Sequence, residues 1–540
     1  KTGKWEGSFE ELRCCLFFEQ RRYHHFGRGP EGEDAQAVIN LHKAICEQWD
    51  REVDLVPFRA KKDPRRLRVL DPACGSGHFL LYAFDLLETI YAEAYDDPDL
   101  GADLQDAFPE RADFSRQVPR LILENNLHGI DIDPRAAQIA ALALWLRAQR
   151  AWQAQKLGAA ERPQIGRTHI VVAEPMPGDE GLLEEFIADL PKDQYPEIIG
   201  PLVRTVFEKM KLAGEAGSLL KIEEELKDAI EQARAAWNRT PQPEQLSFLS
   251  NQSKPKQLGL DLTGVTDESF WQQAEGLVMR AMEGYARQAE NGKAVRRQLF
   301  AGDAAQGFAF INLCQKRYDV TLMNPPFGEA SLSTQTFAGS SYQTWSNNLL
   351  CAFIERGWDL LNNLGAVGVI FDRTAIVKST YEDFRRRVII PDRRIFSLLD
   401  LGWEVLDANV EVTAIALFHS KPSKGLFVDL RKVDLDNKEA EAQTIIRKSR
   451  FNGAHFLDPQ LFQKLPNAVI GYDFPSFLLK ALEEGRSLSS SGYLAYTGHQ
   501  FRTEEHFRLW WEVSLVHPPR VNRRLFNGAG YSPYVASMKD

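Results

Sequence analysis

The chain has 540 residues, 44% of them hydrophobic and 26% charged, with a formal net charge of −10. That length is too great for one domain and points to two to four, and the composition is that of an ordinary soluble protein. Six cysteines (14, 15, 46, 74, 314 and 351) make no C-x-x-C pair and no metal-ligand spacing, so neither a disulfide framework nor a metal site is expected, and the setting predicted is a reducing cytoplasm. No run approaches the ~20 apolar residues of a membrane span, so no membrane partner is expected. The start, Lys1-Thr2-Gly3-Lys4, is polar and lacks methionine, which places the natural N-terminus upstream.

Residues 1–60 read as a helical segment, amphipathic over 35–49. A strand is predicted at Leu67, Val69 and Leu70, followed by the turn Asp71-Pro72-Ala73-Cys74-Gly75-Ser76-Gly77 and a helix with Phe79, Ala83, Leu86, Leu87 and Ile90 on one face. Gly75 and Gly77 lack a β-carbon, so the backbone can turn sharply and approach a ligand closely. No Lys-Ser or Lys-Thr pair follows the glycines, and His78-Phe79-Leu80 stands where a dinucleotide loop would place its third glycine. An acidic residue opens the turn instead, which suits a ligand carrying an amine and a sulfonium. The next strand, 127–131, ends in Asp131, placed to hold ribose hydroxyls. Asp133-Pro134 then starts a helix with Ala137, Ala140, Ala141, Leu144 and Trp145.

Two segments compete for the end of the third strand: 170–175 with Glu174, and 299–303 with Asp303. If an insertion interrupts the chain there, Glu174 ends the strand and Asp303 caps the following helix; the spacing to the later motif favours Asp303. The insertion, 176–297, reads as largely helical, with Leu202, Val203, Val206, Phe207 and Met210 on one face, and Glu223-Glu224-Glu225 as a wet helix face. A Pro/Gln/Ser-rich linker covers 240–256 and a helix 270–289. After a strand at Val320, Leu322 and Met323 stands Asn324-Pro325-Pro326-Phe327. The polar stretch 329–346, with Phe337, Tyr342 and Trp345, is either a loop that closes over a ligand or a plain connection. Strands are predicted at 365–371, 399–402 and 410–417, the last alternating as an antiparallel strand does.

The Asp71-to-Phe79 loop and the Asn324-to-Phe327 loop resemble, in this order, the cofactor and catalytic loops of S-adenosylmethionine-dependent DNA N6-adenine methyltransferases. The resemblance runs from about Leu67 to about Phe418. The C-terminal stretches 496–498, 507–513 and 528–534 resemble the region C-terminal to that domain in large phage-defence methyltransferases of the BREX and DISARM type and in fused restriction–modification enzymes. The resemblance implies a Rossmann-like α/β methyltransferase sheet with a long helical insertion. It divides the chain into an N-terminal segment (1–60), a cofactor-binding half (61–175), the insertion (176–297), a catalytic half (298–435) and a region leading into a target-recognition domain (436–540). It assigns Asn324, Pro325, Pro326 and Phe327 to catalysis, and Asp71, Pro72, Ala73, Gly75, Gly77, Phe79, Asp131, Ile132 and either Asp303 or Glu174 to S-adenosylmethionine. The family's upstream Thr-Pro motif is not recognisable, which leaves one wall of the cofactor pocket unassigned.

Implied, then, is a site-specific methyltransferase that flips adenine out of double-stranded DNA and marks self DNA for a bacterial anti-phage system, alongside other defence subunits. Competing readings are a protein-glutamine or RNA methyltransferase, and a non-catalytic DNA-binding assembly subunit. The net negative charge requires any DNA-contacting bases to be segregated. Candidate clusters are Lys61-Lys62 with Arg65-Arg66, Arg385-Arg386-Arg387 with Arg393-Arg394, Arg520 with Arg523-Arg524, and the mixed stretch 20–28; each of the first three reads more simply as a solvated face.

Overall fold

Short apolar runs that end in an acid or an amide become the parallel strands at the centre of the sheet. β1 (Val69–Asp71) lies between β2 (Leu127–Asp131) and β4 (Tyr318–Met323), parallel to both; β3 (His169–Val172) is parallel to β2, and β5 (Leu361–Asp372) to β4. β6 (Ile395–Gly402) reaches β5 only through β7 (Val412–Phe418), which is antiparallel to both; β8 (Gly425–Asp429) and β9 (Ala454–Leu457) extend that edge. The order is β3-β2-β1-β4-β5-β7-β6-β8-β9. This is the expected Rossmann-like sheet, and the alternation at 410–417 marks its antiparallel strand. In the computed structural model the described residues are 61–190, 196–239, 276–285, 294–326, 328, 330–342, 344, 348–391, 394–406, 410–419, 424–448 and 454–475. All lie in the unit Lys1–Leu479; the expected N-terminal helices, the linker at 240–256 and the C-terminal motifs lie outside the described residues.

The chain runs outward from β1 through β2 to β3, then returns to the other side of β1 for β4. A crevice opens where strand order reverses, and open α/β sheets bind ligands there, at the carboxyl ends of their strands. Asp71, Asp131 and Asn324 all stand at or just beyond those ends.

Helices on both faces fix this geometry. α1 (His78–Asp96) buries Leu80, Ala83, Phe84, Leu87 and Tyr91, so its core stripe is rotated from the predicted one: Leu86 and Ile90 face outward. In α4 (Pro134–Ala154), which follows α2 (Gly101–Ala107) and α3 (Arg111–Leu121), Ala137, Ala140 and Leu144 are buried as predicted but Trp145 is exposed; Trp152 takes the buried position, its indole N–H donating to the Arg116 carbonyl at 2.8 Å. Helix-period patterns locate a face only to within a residue when apolar residues also occupy flanking positions.

The insertion holds α5 (Glu180–Ala188), α6 (Pro196–Lys209), α7 (Lys227–Arg239) and a helical stretch at 276–285. It leads into α8 (Ala294–Gln315), one unbroken helix. An aromatic cluster joins these pieces: Phe207 stacks on Phe300 with centroids 5.6 Å apart, and Phe186 meets Tyr285 edge-on. Asp303 therefore lies in the third turn of α8, exposed, and caps no helix.

Several arginines of the clusters near the sheet are tied into the fold. Arg385 is fully buried and donates to the carbonyls of Ala375, Asn467 and Ala468 at 2.7–3.0 Å; Arg386 pairs with Glu382, and the Arg394 guanidinium lies 4.1 Å from the Trp358 ring centroid. Lys61, Lys62 and Arg65 are paired with Asp97, Asp319 and Asp63. Arg385 is thus a core tie and not the solvated face its sequence suggested. Replacing it with methionine takes the donor from three carbonyls, those of Ala375 and Ala468 in buried bonds, and is expected to cost about 2–3 kcal/mol, read as a lower denaturant midpoint at unchanged slope.

Candidate active site

The glycine turn after β1 is held from inside. Asp71, 1% exposed, accepts the Ala73 N–H at 3.1 Å; the Cys74 N–H donates to the Ile130 carbonyl, and the Gly77 N–H closes back on Cys74. Gly75 and Gly77 both have positive φ (52° and 86°), and a β-carbon on Gly77 would stand 3.0 Å from the Cβ of Ala140. Here the glycines serve both turn and helix packing. Asp131 braces this loop against the next: one carboxylate oxygen accepts the Gly75 N–H at 2.7 Å, the other the Asp133 N–H at 2.9 Å.

A cavity of about 300 Å³ opens at the crevice. Pro72 and Ala73 form one side, Ile130, Asp131 and Ile132 the next, Asn324 and Pro326 the third, with Leu349 and Phe353 behind. The two sequence motifs, some 250 residues apart, therefore share one cavity. Asp71, Gly75 and Gly77 shape the loop from beneath, while Phe79 is half-buried in α1 and Pro325 is buried below the cavity rim; none of these lines it. Glu174 stands two residues past β3, half-buried, also outside the lining, and Asp303 is away from it on α8. Phe327 lies outside the described residues.

The remaining wall comes from residues 215–219 of the insertion, which the sequence reading passed over. The only available sign was a pair of glycines, 214 and 217, interrupting a helical pattern. Residues 332–341 of the polar stretch after the catalytic loop form a helix, α9 (Leu332–Ser341), and Tyr342 is buried with its hydroxyl donating to the Leu219 carbonyl at 2.6 Å. Glu223 is also not wet. Burial alone would raise its pKa, but the fully buried Arg356 guanidinium of α10 (Leu349–Asp359) outweighs this and holds the carboxyl below its usual range. Glu224 is solvent-facing, as expected of all three.

Charge in the site is negative and unpaired. Neither Asp71 nor Asp131 has a lysine or arginine partner among the described residues, and no group of metal-ligating side chains occurs among them. Burial pushes the Asp71 carboxyl up to about 7, and Asp131 adds to the shift. Because the folded-state value is raised, the native chain keeps a proton that the unfolded chain loses, so this group lowers stability as pH rises from about 4 to about 7. Asp71→Asn is expected to raise stability at pH 8 by on the order of 2 kcal/mol, with the gain shrinking toward pH 5, as urea melts at the two pH values would show.

A parallel sheet reversing at β1 with a seventh antiparallel strand, and a glycine loop facing Asn-Pro-Pro across the crevice, define a Rossmann-like methyltransferase. The chain belongs to the Eco57I restriction-modification methylase family, whose sequence profile matches residues 125–405. A second profile, MmeI, DNA-methyltransferase domain, matches residues 47–165. Adenine-specific methyltransferase BrxX of Escherichia coli O9:H4 (strain HS) is 24% identical over an alignment of 440 residues that covers 76% of this chain and 30% of that protein. Adenine-specific methyltransferase PglX of Lacticaseibacillus casei (strain Zhang) is 23% identical over 82% of this chain and 32% of its own length. The chain thus spans about a third of these curated relatives. A modification subunit of a putative type I restriction enzyme from Vibrio vulnificus YJ016 overlays with a TM-score of 0.34 at 11% identity, covering 86% of this chain and 68% of that one.

Proposed function

We propose that the chain is the catalytic part of an S-adenosylmethionine-dependent DNA methyltransferase that modifies adenine N6, acting in a restriction–modification or anti-phage system. The observation that carries this reading is the meeting of Pro72, Ala73 and Asp131 with Asn324 and Pro326 around one cavity. The names of the relatives BrxX and PglX support the choice of adenine, and the name of the family supports a restriction–modification setting.

The residues present fit the cofactor. The cavity is of small-molecule size, and Asp131 on its lining, a carboxylate without a basic partner among the described residues, favours a cationic guest. When bound, S-adenosylmethionine supplies a methyl group on an electrophilic sulfonium. The Pro72-Ala73 backbone, on the loop that Asp71 braces from beneath, would hold its amino-acid end, and Asp131 and Ile132 its ribose and adenine. Of the two candidates for the third strand, Glu174 is the one at a strand end and is assigned to the adenine edge; Asp303 is withdrawn on its position in α8.

An exocyclic adenine amine is a weak nucleophile because its lone pair is delocalised into the ring. The Asn324 side-chain oxygen and the Pro325 carbonyl would accept the two N6 hydrogens and so localise that pair toward the methyl donor; the gain is positioning plus aimed dipoles. The two prolines fix φ and bring no competing N–H. Phe327 would stack on the base. Duplex adenine cannot reach such a cavity without leaving the helix, so base flipping is part of the proposal, unstacking costing a few kcal/mol. Transfer of labelled methyl from S-adenosylmethionine to unmethylated duplex DNA, followed by nucleoside analysis, tests the reading. N6-methyladenine is expected; label recovered in RNA or in protein glutamine instead would overturn it.

A further inference from the structure

The insertion forms part of the cavity wall, and the contacts that hold it there are specific. Residues 213–220 pass over the crevice as a strap touching three successive strand-end loops. The Ser218 hydroxyl, buried, donates to the Pro72 carbonyl at 2.7 Å. Gly217, with φ of 56°, lies so close to the second loop that a β-carbon there would stand 2.7 Å from Ile132 Cγ2. A β-carbon on Gly214 would stand 2.9 Å from Pro175, beside Glu174 at the end of β3. On the far side Glu215 accepts hydrogen bonds from Ser331 and Ser333, at the start of the helix that follows the catalytic loop.

The strap is anchored from behind. Arg356, with no exposed surface, donates through Nε to the Ser218 carbonyl at 2.7 Å and grips Glu223 with both terminal nitrogens; Tyr342 fixes the Leu219 carbonyl. These contacts centre on the backbone of 218–219, the stretch that faces the cavity. An insertion serving only as a separate module would not need two close glycine approaches and a buried hydroxyl tied to the glycine loop.

We propose that the strap is the remaining wall of the S-adenosylmethionine site, the wall for which no Thr-Pro element is recognisable in the sequence, with Ser218 and Gly217 as positioning residues for the cofactor. This rests on the cofactor reading of the same cavity. The strap closes over the nucleoside side of the site, between Ile132 and Pro72, and its Glu215 contact ties cofactor seating to the segment after Asn324-Pro325-Pro326.

The test is calorimetric binding of S-adenosylhomocysteine to the intact chain and to Ser218→Ala and Gly217→Ala. Thr205→Ala, which removes an equivalent hydroxyl-to-carbonyl bond on the exposed face of α6, is the control. Roughly tenfold or greater weakening in both strap variants, with the control unchanged, is expected. In turnover the same variants should raise KM for S-adenosylmethionine while leaving KM for DNA in place. Wild-type binding with both strap variants within twofold of it would overturn the strap and leave the cofactor reading standing. No wild-type binding would overturn both. Should the variants fail to fold, hydrogen exchange on the wild type decides: amides 214–220 slow on adding S-adenosylhomocysteine if the strap is a wall, and unchanged exchange there refutes it.

Discussion

Asn324→Ala is expected to cut methyl transfer to adenine by about 10²–10³-fold while S-adenosylhomocysteine affinity stays within a factor of two. Asn324 is exposed at the cavity rim, so truncating it opens no core cavity and the fold should survive. What is lost is an acceptor aimed at one N6 hydrogen, whose worth is realised only as the amine becomes a nucleophile. Asn324→Asp keeps an acceptor oxygen in place and is expected to lose less. Single-turnover rates at saturating cofactor are the measurement. A loss below about fivefold in the alanine variant would remove Asn324 from the chemistry, whereas no transfer by the wild-type chain would return the site to the reading of a non-catalytic DNA-binding subunit.

The second large effect concerns the buried ion pair behind the strap. Arg356→Met is expected to destabilise the chain by about 3–5 kcal/mol, because Glu223 is left as a charge in a site with almost no water. Glu223→Leu alone should cost similarly, stranding the guanidinium. The double variant should recover most of that loss, since an apolar pair of similar volume avoids the desolvation that the ion pair only roughly repays. Cofactor affinity should not recover with it: Arg356 Nε also holds the Ser218 carbonyl, and no methionine replaces that donor. Denaturant melts and S-adenosylhomocysteine titrations on the same three variants therefore separate stability from positioning. A double variant that melts like the wild type and also binds like it would show that the pair is a packing feature alone.

Much of the fold and of the site is legible in the amino-acid sequence. The apolar run into Asp71, the glycines at 75 and 77, the strand ending at Asp131 and the strand before Asn324 are local signals: period-2 or continuous apolar residues, then turn chemistry. Local chemistry dictates local backbone, so β1, β2, β4 and the loops after them lie where the sequence placed them. Even the antiparallel character of β7 is written in its alternation.

Other features depend on long-range packing. Nothing within 299–303 says that Asp303 is ten residues into a 22-residue helix rather than at its cap; α8 persists because Phe300, Ala304 and Phe308 are buried against the insertion and the sheet. The triple arginine at 385 and the triple glutamate at 223 look alike in sequence, as charge runs facing water. Each has one member in the core, chosen by which side of a short helix meets the protein, with three carbonyls awaiting Arg385 and a guanidinium awaiting Glu223. The strap is the clearest case. Gly214 and Gly217 carry no pattern of their own; their lack of a β-carbon matters only because Pro175 and Ile132, from loops 39 to 85 residues earlier in the chain, come within van der Waals reach. The sequence by itself thus determined the chemistry of the two loops and the strands that present them. Only the tertiary structure decided that they share one cavity and what closes it, because those contacts join residues whose proximity is set by strand order and not by spacing along the chain.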